Sequence, residues 1–424
     1  MNLVPVPVQP HARSILRRYR TLNPGLFRRL RRAGGRLTGT AVLHISATPR
    51  GGGVAEILQS EVALEQGLGM DSRWLVIRAP RKFFAITKKI HNLLQGAAGK
   101  LTEQEKGYYL AANREFVAAF ARAARGVERA VVVVHDPQPL AMIGGLPAEI
   151  STVLRLHIDL ATPDPATLEF FRPMIDRYDR VIVSERAYLV SLPWLRRAKA
   201  RVIFPAIDPL SEKNRPMSRR AAERLLLEFG IDCSRPLVTQ VSRFDPWKDP
   251  IGVVQAYYRA KNDIPDLQLA LAGLRVAVDD PEAEAVFRKV RKFARGDSAI
   301  HLFGDHEQLK TVSGDRFVSA LYTASDVVIQ KSIREGFGLT VAEALWKGKP
   351  VVAGMTIGTK AQIQNGKNGL LVASPEEAAS AIIKLMRDRR LAARLGAAGK
   401  KSVQQRFLLP RLALDMANVF GELV

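Results

Sequence analysis

The sequence predicts an α/β protein made of two doubly wound, Rossmann-like domains facing one another across a cleft. Three observations carry that expectation. Short apolar runs alternate with longer helical patterns along most of the 424 residues. Glycine-rich or polar clusters recur just beyond the ends of those runs, where open parallel sheets bind ligands. A polar, proline-bearing stretch from Pro205 to Pro216 separates an earlier series of runs from a later one. With 47% hydrophobic residues, a chain of this length can bury two ordinary cores.

In the first series, Ala41 to Ile45 reads as a buried strand, and the turn Thr48-Pro49-Arg50-Gly51-Gly52-Gly53 leads into a helix from about Val54. Further strands are expected at Trp74 to Ile77, Ala130 to Val134, Thr152 to Leu156, Arg180 to Val183 and Arg201 to Phe204. A helix near Ser218 to Phe229 opens the second series, whose strands are Leu237 to Val241, Leu267 to Ala272, Ala299 to Phe303, Asp326 to Gln330, Pro350 to Ala353 and Gly369 to Val372. The expected division is a basic N-terminal extension (1–40), a first domain (41–215) rejoined by a C-terminal helix at about 408–424, and a second domain (216–407). No short repeat is present, which disfavours a solenoid.

Composition excludes several classes of protein. The single cysteine, Cys233, rules out an intrachain disulfide, and the 7 histidines show no zinc-binding spacing with it. No apolar run approaches the roughly 20 residues that span a bilayer, and the N-terminus lacks the apolar core of a secretory signal, so a cytoplasmic protein without a membrane partner is expected. A net charge of +23 attracts anions generally. Part of it is local, since the first acidic residue is Glu56 and the segment Arg13 to Arg36 is studded with arginine. Such an arm suits nucleic acid, an anionic surface or an acidic patch on a partner subunit, and its lack of acids resembles a transit peptide, although it is poor in serine. The favoured reading is a solvated, partly helical extension with no ligand. Nucleic acid is not expected as a partner, because only 7% of residues are aromatic and few interleave with the arginines. A homodimer is compatible with the sequence.

The most informative stretch is Ser332-Ile333-Arg334-Glu335-Gly336-Phe337-Gly338-Leu339-Thr340-Val341-Ala342-Glu343-Ala344. Two carboxylates flank a glycine-rich turn that opens a helix from Leu339 to Lys347, closed by Gly348 with Pro350 beyond. Gly336 and Gly338 let backbone N–H groups approach a ligand, and the helix N-terminus favours a phosphate. The carboxylates are acceptors suited to sugar or ribose hydroxyls. Upstream, Val241-Ser242-Arg243-Phe244-Asp245-Pro246-Trp247-Lys248-Asp249-Pro250 follows the strand that ends at Val241. Arg243, a planar fork, and Lys248, a compact charge, leave one strand end together and suit a diphosphate. The combination points to a sugar nucleotide.

In the first series, Gly51 to Gly53 leave the backbone uncovered at a strand-to-helix turn. Their spacing fits neither the Walker loop nor the Gly-x-Gly-x-x-Gly fingerprint, which weakens a kinase or dehydrogenase reading. His135-Asp136-Pro137-Gln138 and His157-Ile158-Asp159 follow two other strands and offer groups for an acceptor's hydroxyls. Each histidine taken alone is better explained as a satisfied structural residue.

Arg243 and Lys248, with Glu335, seven intervening residues and Glu343, resemble the retaining GT-B glycosyltransferases that use nucleotide-activated sugars. Within that group, Thr48 to Glu56, His135 to Pro139, His157 to Leu160 and Asp208-Pro209-Leu210-Ser211-Glu212-Lys213-Asn214 resemble the trehalose glycosyltransferring synthases, to which trehalose phosphorylases are close relatives. The likeness runs from about Ala41 to the C-terminus and leaves the arginine-rich arm outside it. It implies transfer of glucose from a nucleoside diphosphate glucose to the anomeric hydroxyl of free glucose, giving α,α-trehalose, in a reversible reaction. Carried onto matching positions, it implies that Arg243 and Lys248 hold the diphosphate and Glu343 the ribose. Glu335 with the backbone of Gly336, Phe337, Gly338, Leu339 and Thr340 would hold the donor glucose, and Gly51, Gly52 and Gly53 would close over it. Glu56, Gln138, His157 and Asp159 are the candidate sugar contacts of the first domain. No motif calls for a resident cofactor, and with no Asp-x-Asp clamp near the phosphate loops a Mg²⁺ would ride on the diphosphate. No motif selects among adenosine, uridine and guanosine donors. The chain departs from the family at Thr356-Ile357-Gly358-Thr359-Lys360, where relatives usually carry a glycine pair.

Overall fold

The computed structural model describes residues 1–273 and 282–424. They form two compact units, one of Met1–Ala206 with Leu409–Val424, the other of residues 207–273 and 282–408.

The strands of unit 1 are β1 (Asn2–Pro5), β2 (Ala41–Ser46), β3 (Asp71–Arg78), β4 (Ala130–His135), β5 (Ser151–Leu156), β6 (Arg180–Val183) and β7 (Ala200–Val202). They lie in the order β1-β3-β2-β4-β5-β6-β7, all parallel except β1, which pairs antiparallel with the edge of β3. Strands β2 and β4 are buried along their whole length, as strands covered on both faces must be. Without the added edge strand, and counting β2 as the first, the order is 2-1-3-4-5-6. Its topological switch point therefore falls between β2 and β4, and ligands bind beyond the carboxyl ends of such a pair.

The arginine-rich arm is part of this unit. Besides strand β1, it forms helices Arg13–Leu22 and Pro24–Gly35, and the second packs on the C-terminal helix Leu409–Gly421. Tyr19, Phe27 and Leu30 are buried while the arginines lie on the other faces, so the expectation of a solvated extension gives way to an amphipathic cover. Val4, Val6 and Val8 pack on Leu58, Val62 and Trp74, and the His11 N–H donates to the Ala63 carbonyl at 2.8 Å. Helix Gly53–Gly67 is thus enclosed on several sides, which forces its Glu61 and Glu65 inward.

Unit 2 contains β8 (Leu237–Val241), β9 (Gln268–Ala272), β10 (Ile300–Phe303), β11 (Val327–Gln330), β12 (Val351–Gly354) and β13 (Leu370–Val372), an all-parallel sheet ordered β10-β9-β8-β11-β12-β13. Counted from β8, that order is 3-2-1-4-5-6, the dinucleotide-fold arrangement, with its switch point between β8 and β11. The pleat sends alternate side chains to two cores. Val238, Leu269 and Leu271 join Val254, Tyr257 and Ile382 on one face, while Leu237, Ala270 and Ala272 join Leu226, Phe317 and Leu321 on the other.

The division between the units falls after Ala206, ahead of the position expected from the proline-bearing stretch. The reason is hydrogen bonding: Trp346 Nε1 donates to the Asn214 carbonyl (3.2 Å) and Lys347 Nζ to that of Arg215 (2.6 Å), tying the stretch to unit 2. At the returning end, Ser151 Oγ donates to the Leu423 carbonyl (2.9 Å) and Arg201 reaches Glu422 (2.5 Å), tying the last helix to unit 1.

Candidate active site

Two loops meet at the switch point of unit 2. The first leaves β8, and its Asp245 carboxylate accepts the Trp247 N–H at 2.9 Å, starting the short turn that carries Lys248. The second leaves β11. The Ile333 N–H donates to the Trp247 carbonyl (2.8 Å), fastening one loop to the other through main chain. Lys248 Nζ then reaches Glu335 Oε2 at 2.6 Å, and Ser332 Oγ donates to the same oxygen at 3.2 Å. Arg243 lies 3.5 Å from Asp245, with its side chain one-third exposed. The structure therefore brings Arg243, Lys248 and Glu335 to one strand-end neighbourhood, with the cations accessible and the carboxylate nearly enclosed.

The turn that follows is held by its backbone. Gly338 sits at φ 87°, a conformation that costs a side chain about 1 kcal/mol or more, and serves as the N-cap of helix Leu339–Trp346. With no side-chain cap there, the positive end of the helix is left open to an anion. Gln362 Nε2 donates to the carbonyls of Phe337 (2.6 Å) and Gly338 (3.0 Å), and the Phe337 ring packs edge-on against Phe407. At the segment that departs from the family's glycine pair, the Gly358 N–H donates to the Glu335 carbonyl (3.2 Å), and a Cβ there would lie 2.4 Å from that oxygen. One glycine suffices for the close approach, and Leu339 and Thr340 stay partly exposed.

Glu343 occupies a different setting from Glu335. It is fully buried, with Lys213 Nζ at 2.6 Å from one carboxylate oxygen and the Tyr322 hydroxyl at 3.0 Å from the other. Its first contact is thus with protein, and Lys213 is the more exposed member of that pair. Each carboxylate has its own cation, an arrangement unlike the two free acids of a retaining glycosidase.

In unit 1, of the three glycines only Gly51 takes a positive φ (88°); Gly52 is extended, and Gly53 is the first residue of its helix. Glu56 stands exposed in the first turn, favourable to the helix dipole. Gln138 is nine-tenths buried, and its Oε1 has no hydrogen-bond partner among the described residues. The Asp136 carboxylate accepts the His157 N–H at 2.7 Å, placing His157 beside the β4 terminus. Asp159 is almost wholly buried and accepts the Ala161 N–H at 2.8 Å, which shapes this loop.

Sequence reasoning missed what lies behind these loops. His157 Nε2 is 3.0 Å from His135 Nδ1, whose Nε2 is 3.1 Å from His44 Nδ1, whose Nε2 is 3.3 Å from Glu65. Ser72 Oγ donates to the same Glu65 oxygen at 2.6 Å. Beside them, Arg155 pairs with Glu61 at 3.0 Å, both fully buried. Burial raises the Glu61 carboxyl above its ordinary range, with Arg155 opposing the rise. Burial pushes His135 well below the ordinary imidazole range, reinforced by His157, His44 and Arg155, and it lowers His157 likewise with Arg155 adding to it. The one available sequence signal was His44, a polar residue inside the otherwise apolar Ala41 to Ile45 run.

Known proteins resemble this chain over most of its length. Residues 44–190 match the family described as trehalose synthase, N-terminal domain, and residues 227–402 match glycosyl transferases group 1. A trehalose synthase of Rubrobacter xylanophilus is 42% identical over 415 residues, covering 97% of this chain and 96% of its own length. The chain belongs to the trehalose synthase family. Another member, from Pyrococcus horikoshii, is 40% identical over 394 residues, 91% of each chain. The fold is that of GT-B glycosyltransferases: a trehalose-6-phosphate synthase superimposes with a TM-score of 0.72 at 13% identity, covering 91% of this chain and 99% of that one. Family and fold together make the protein a trehalose-related glycosyltransferase. Among the described residues, no helix is long and apolar enough to cross a membrane.

Proposed function

We propose that this family member transfers glucose from a nucleoside diphosphate glucose to the anomeric hydroxyl of glucose, with retention, giving α,α-trehalose and a nucleoside diphosphate. The observation that carries the reading is the joining of Arg243, Lys248 and Glu335 beside an uncapped helix N-terminus at the switch point of unit 2. As the glycosidic bond breaks, positive charge grows on the anomeric carbon and negative charge on the departing diphosphate. Arg243, Lys248 and the Leu339 end of the helix neutralise the latter, a preorganised stabilisation of the kind that dominates such reactions. Glu335, held by Lys248 and Ser332, takes the donor glucose hydroxyls. The ribose lies at the Glu343–Lys213 pair.

The incoming hydroxyl attacks from the face that the diphosphate leaves, and a phosphate oxygen takes its proton, so no protein nucleophile takes part. Gln138 and His157 of unit 1 supply sugar contacts, with Glu56 and the Gly51 turn beside them. A Mg²⁺ would enter on the donor diphosphate, and the protein is assigned no metal ligand.

The test is a screen of adenosine, uridine and guanosine diphosphate glucoses with free glucose, the disaccharide being identified by NMR. An α,α-linked product with at least one donor is expected; no disaccharide with any donor overturns the proposal. Trehalose phosphorylases are also relatives, one from Pleurotus pulmonarius being 29% identical over 366 residues, 77% of this chain and 49% of its own length. A parallel arm with trehalose and inorganic phosphate, without nucleotide, should therefore stay inactive. Glucose 1-phosphate appearing there would replace the synthase reading with a phosphorylase.

A further inference from the structure

The buried chain Glu65, His44, His135, His157 runs from the interior of helix Gly53–Gly67, through β2 and β4, to the loop beyond β5. Its inner members are sealed: His44, His135, Glu65 and Ser72 are all buried, and Phe420 of the last helix stands edge-on to the His44 ring. Only His157 is partly exposed, and its Nδ1 makes no hydrogen bond among the described residues. Arg155 and Glu61 neutralise each other beside the chain, and the Asp136 carboxylate is turned to the His157 N–H.

The direction of the hydrogen bonds is determined at one end. With Glu65 as a carboxylate and the rings neutral, Oε2 is acceptor-only, taking Ser72 Oγ–H on one lone pair and His44 Nε2–H on another. A neutral imidazole has one N–H. His44 Nδ1 is therefore a lone pair and must accept from His135 Nε2–H. The same step repeats: His135 Nδ1 accepts from His157 Nε2–H, leaving His157 Nδ1 bare. In this arrangement each ring carries one N–H and no two N–H groups face one another, and burial disfavours a further proton on His135 or His157.

We propose that Glu65 acts as a positioning residue, setting the tautomer of His157 through His44 and His135 so that His157 Nδ1 is an obligatory acceptor for a hydroxyl of the bound sugar. The inference rests on the sugar-binding role given to His157 above, and it extends that role to a residue three hydrogen bonds away. A site that only accepts discriminates in favour of a ligand group able to donate, because a ligand lacking that proton leaves a buried lone pair unmatched.

Long-range ¹H–¹⁵N correlation spectra of the full chain, labelled with ¹⁵N-histidine and assigned by single His→Gln variants, read the tautomers directly. Protons on Nε2 of His44, His135 and His157 are expected, with all three Nδ1 atoms bare. A proton on Nδ1 of any of them overturns the proposal without reference to activity. Glu65→Asp retains an acceptor-only carboxylate and should keep the pattern. Glu65→Leu removes the acceptor and should release the preference along the chain; a His157 proton still held wholly on Nε2 in that folded variant also overturns it. In the active protein, Glu65→Leu should raise KM for donor or acceptor sugar about tenfold with a smaller change in kcat, the loss of one net hydrogen bond. If the wild-type protein makes no disaccharide, the functional reading fails while the tautomers are still measured. If it does make one and saturating donor with glucose leaves the His157 Nδ1 resonance unmoved, the relay's link to sugar is wrong.

Discussion

Beyond β8 and β11 the candidate side chains are ions within reach of solvent, whereas within β2 and at the end of β4 they are imidazoles shut away from it. Arg243 and Lys248 keep part of their surface in water. His44 and His135 keep almost none. Both sheets place polar groups at a topological switch point, yet under the proposed reaction the two sites answer different chemical demands. A departing diphosphate brings full charges, so its binders must be cations that lose hydration only when the ligand arrives. A sugar hydroxyl brings no charge. What recognises it is the direction of a hydrogen bond, and desolvated neutral rings hold that direction best.

The comparison can be broken most severely at the Arg155–Glu61 pair behind the imidazoles. Both members are fully buried at 3.0 Å, so Glu61→Ala would leave a guanidinium uncompensated inside unit 1. Removing one partner of such a pair costs about 3–5 kcal/mol. Urea unfolding followed by circular dichroism should show a loss of that size with an unchanged dependence on denaturant. A loss under about 1 kcal/mol would mean that Arg155 reaches water, and the contrast between dry and wet sites would fall.

Arg243→Ala is the next test, on the other side of the contrast. Its side chain is one-third exposed and its ion-pair partner lies at 3.5 Å, so stability should be almost unaffected. Turnover should fall by on the order of 10²–10³, the usual consequence of deleting one preorganised donor to developing negative charge. A fall of less than tenfold in kcat, with KM for the donor raised instead, would make Arg243 a binder of the ground state.

The two sites also differ in how far they could be read from sequence. Arg243, Lys248 and Glu335 lie in loops immediately after apolar runs, where local spacing alone places them at strand ends. The strands themselves were equally plain: β6 and β8 span the residues expected of them. The imidazole chain was hidden because its bonds join distant residues, His44 to His135 across 91 positions and Arg155 to Glu61 across 94. Periodicity speaks of burial, and a carboxylate on an enclosed helix looks locally like one on a solvated helix. The arm was misread for a related reason. Its prolines at positions 5, 7 and 10 argue against a strand, but an antiparallel edge tolerates them, and the arginines masked the narrow stripe of Tyr19, Phe27 and Leu30.

The smallest expected effect is also the one that speaks most directly to charge. His135 is buried, and desolvation together with His157, His44 and Arg155 holds its pKa well below the ordinary range, whereas the unfolded chain restores a value of about 6.5. Below about pH 6.5 the unfolded state therefore binds a proton that the folded state refuses. The stability associated with this ring is complete above that pH and is lost as the pH falls, by on the order of 1 kcal/mol at pH 5.5. Other groups titrate over the same window, so the informative quantity is a difference: the loss of stability between pH 7.5 and 5.5 in the wild-type protein minus the loss in His135→Gln. A value on the order of 1 kcal/mol is expected for it, whatever the variant's own stability. A difference near zero would mean that His135 accepts a proton in the folded state, and a ring able to do that could not fix the direction of the bonds on either side of it.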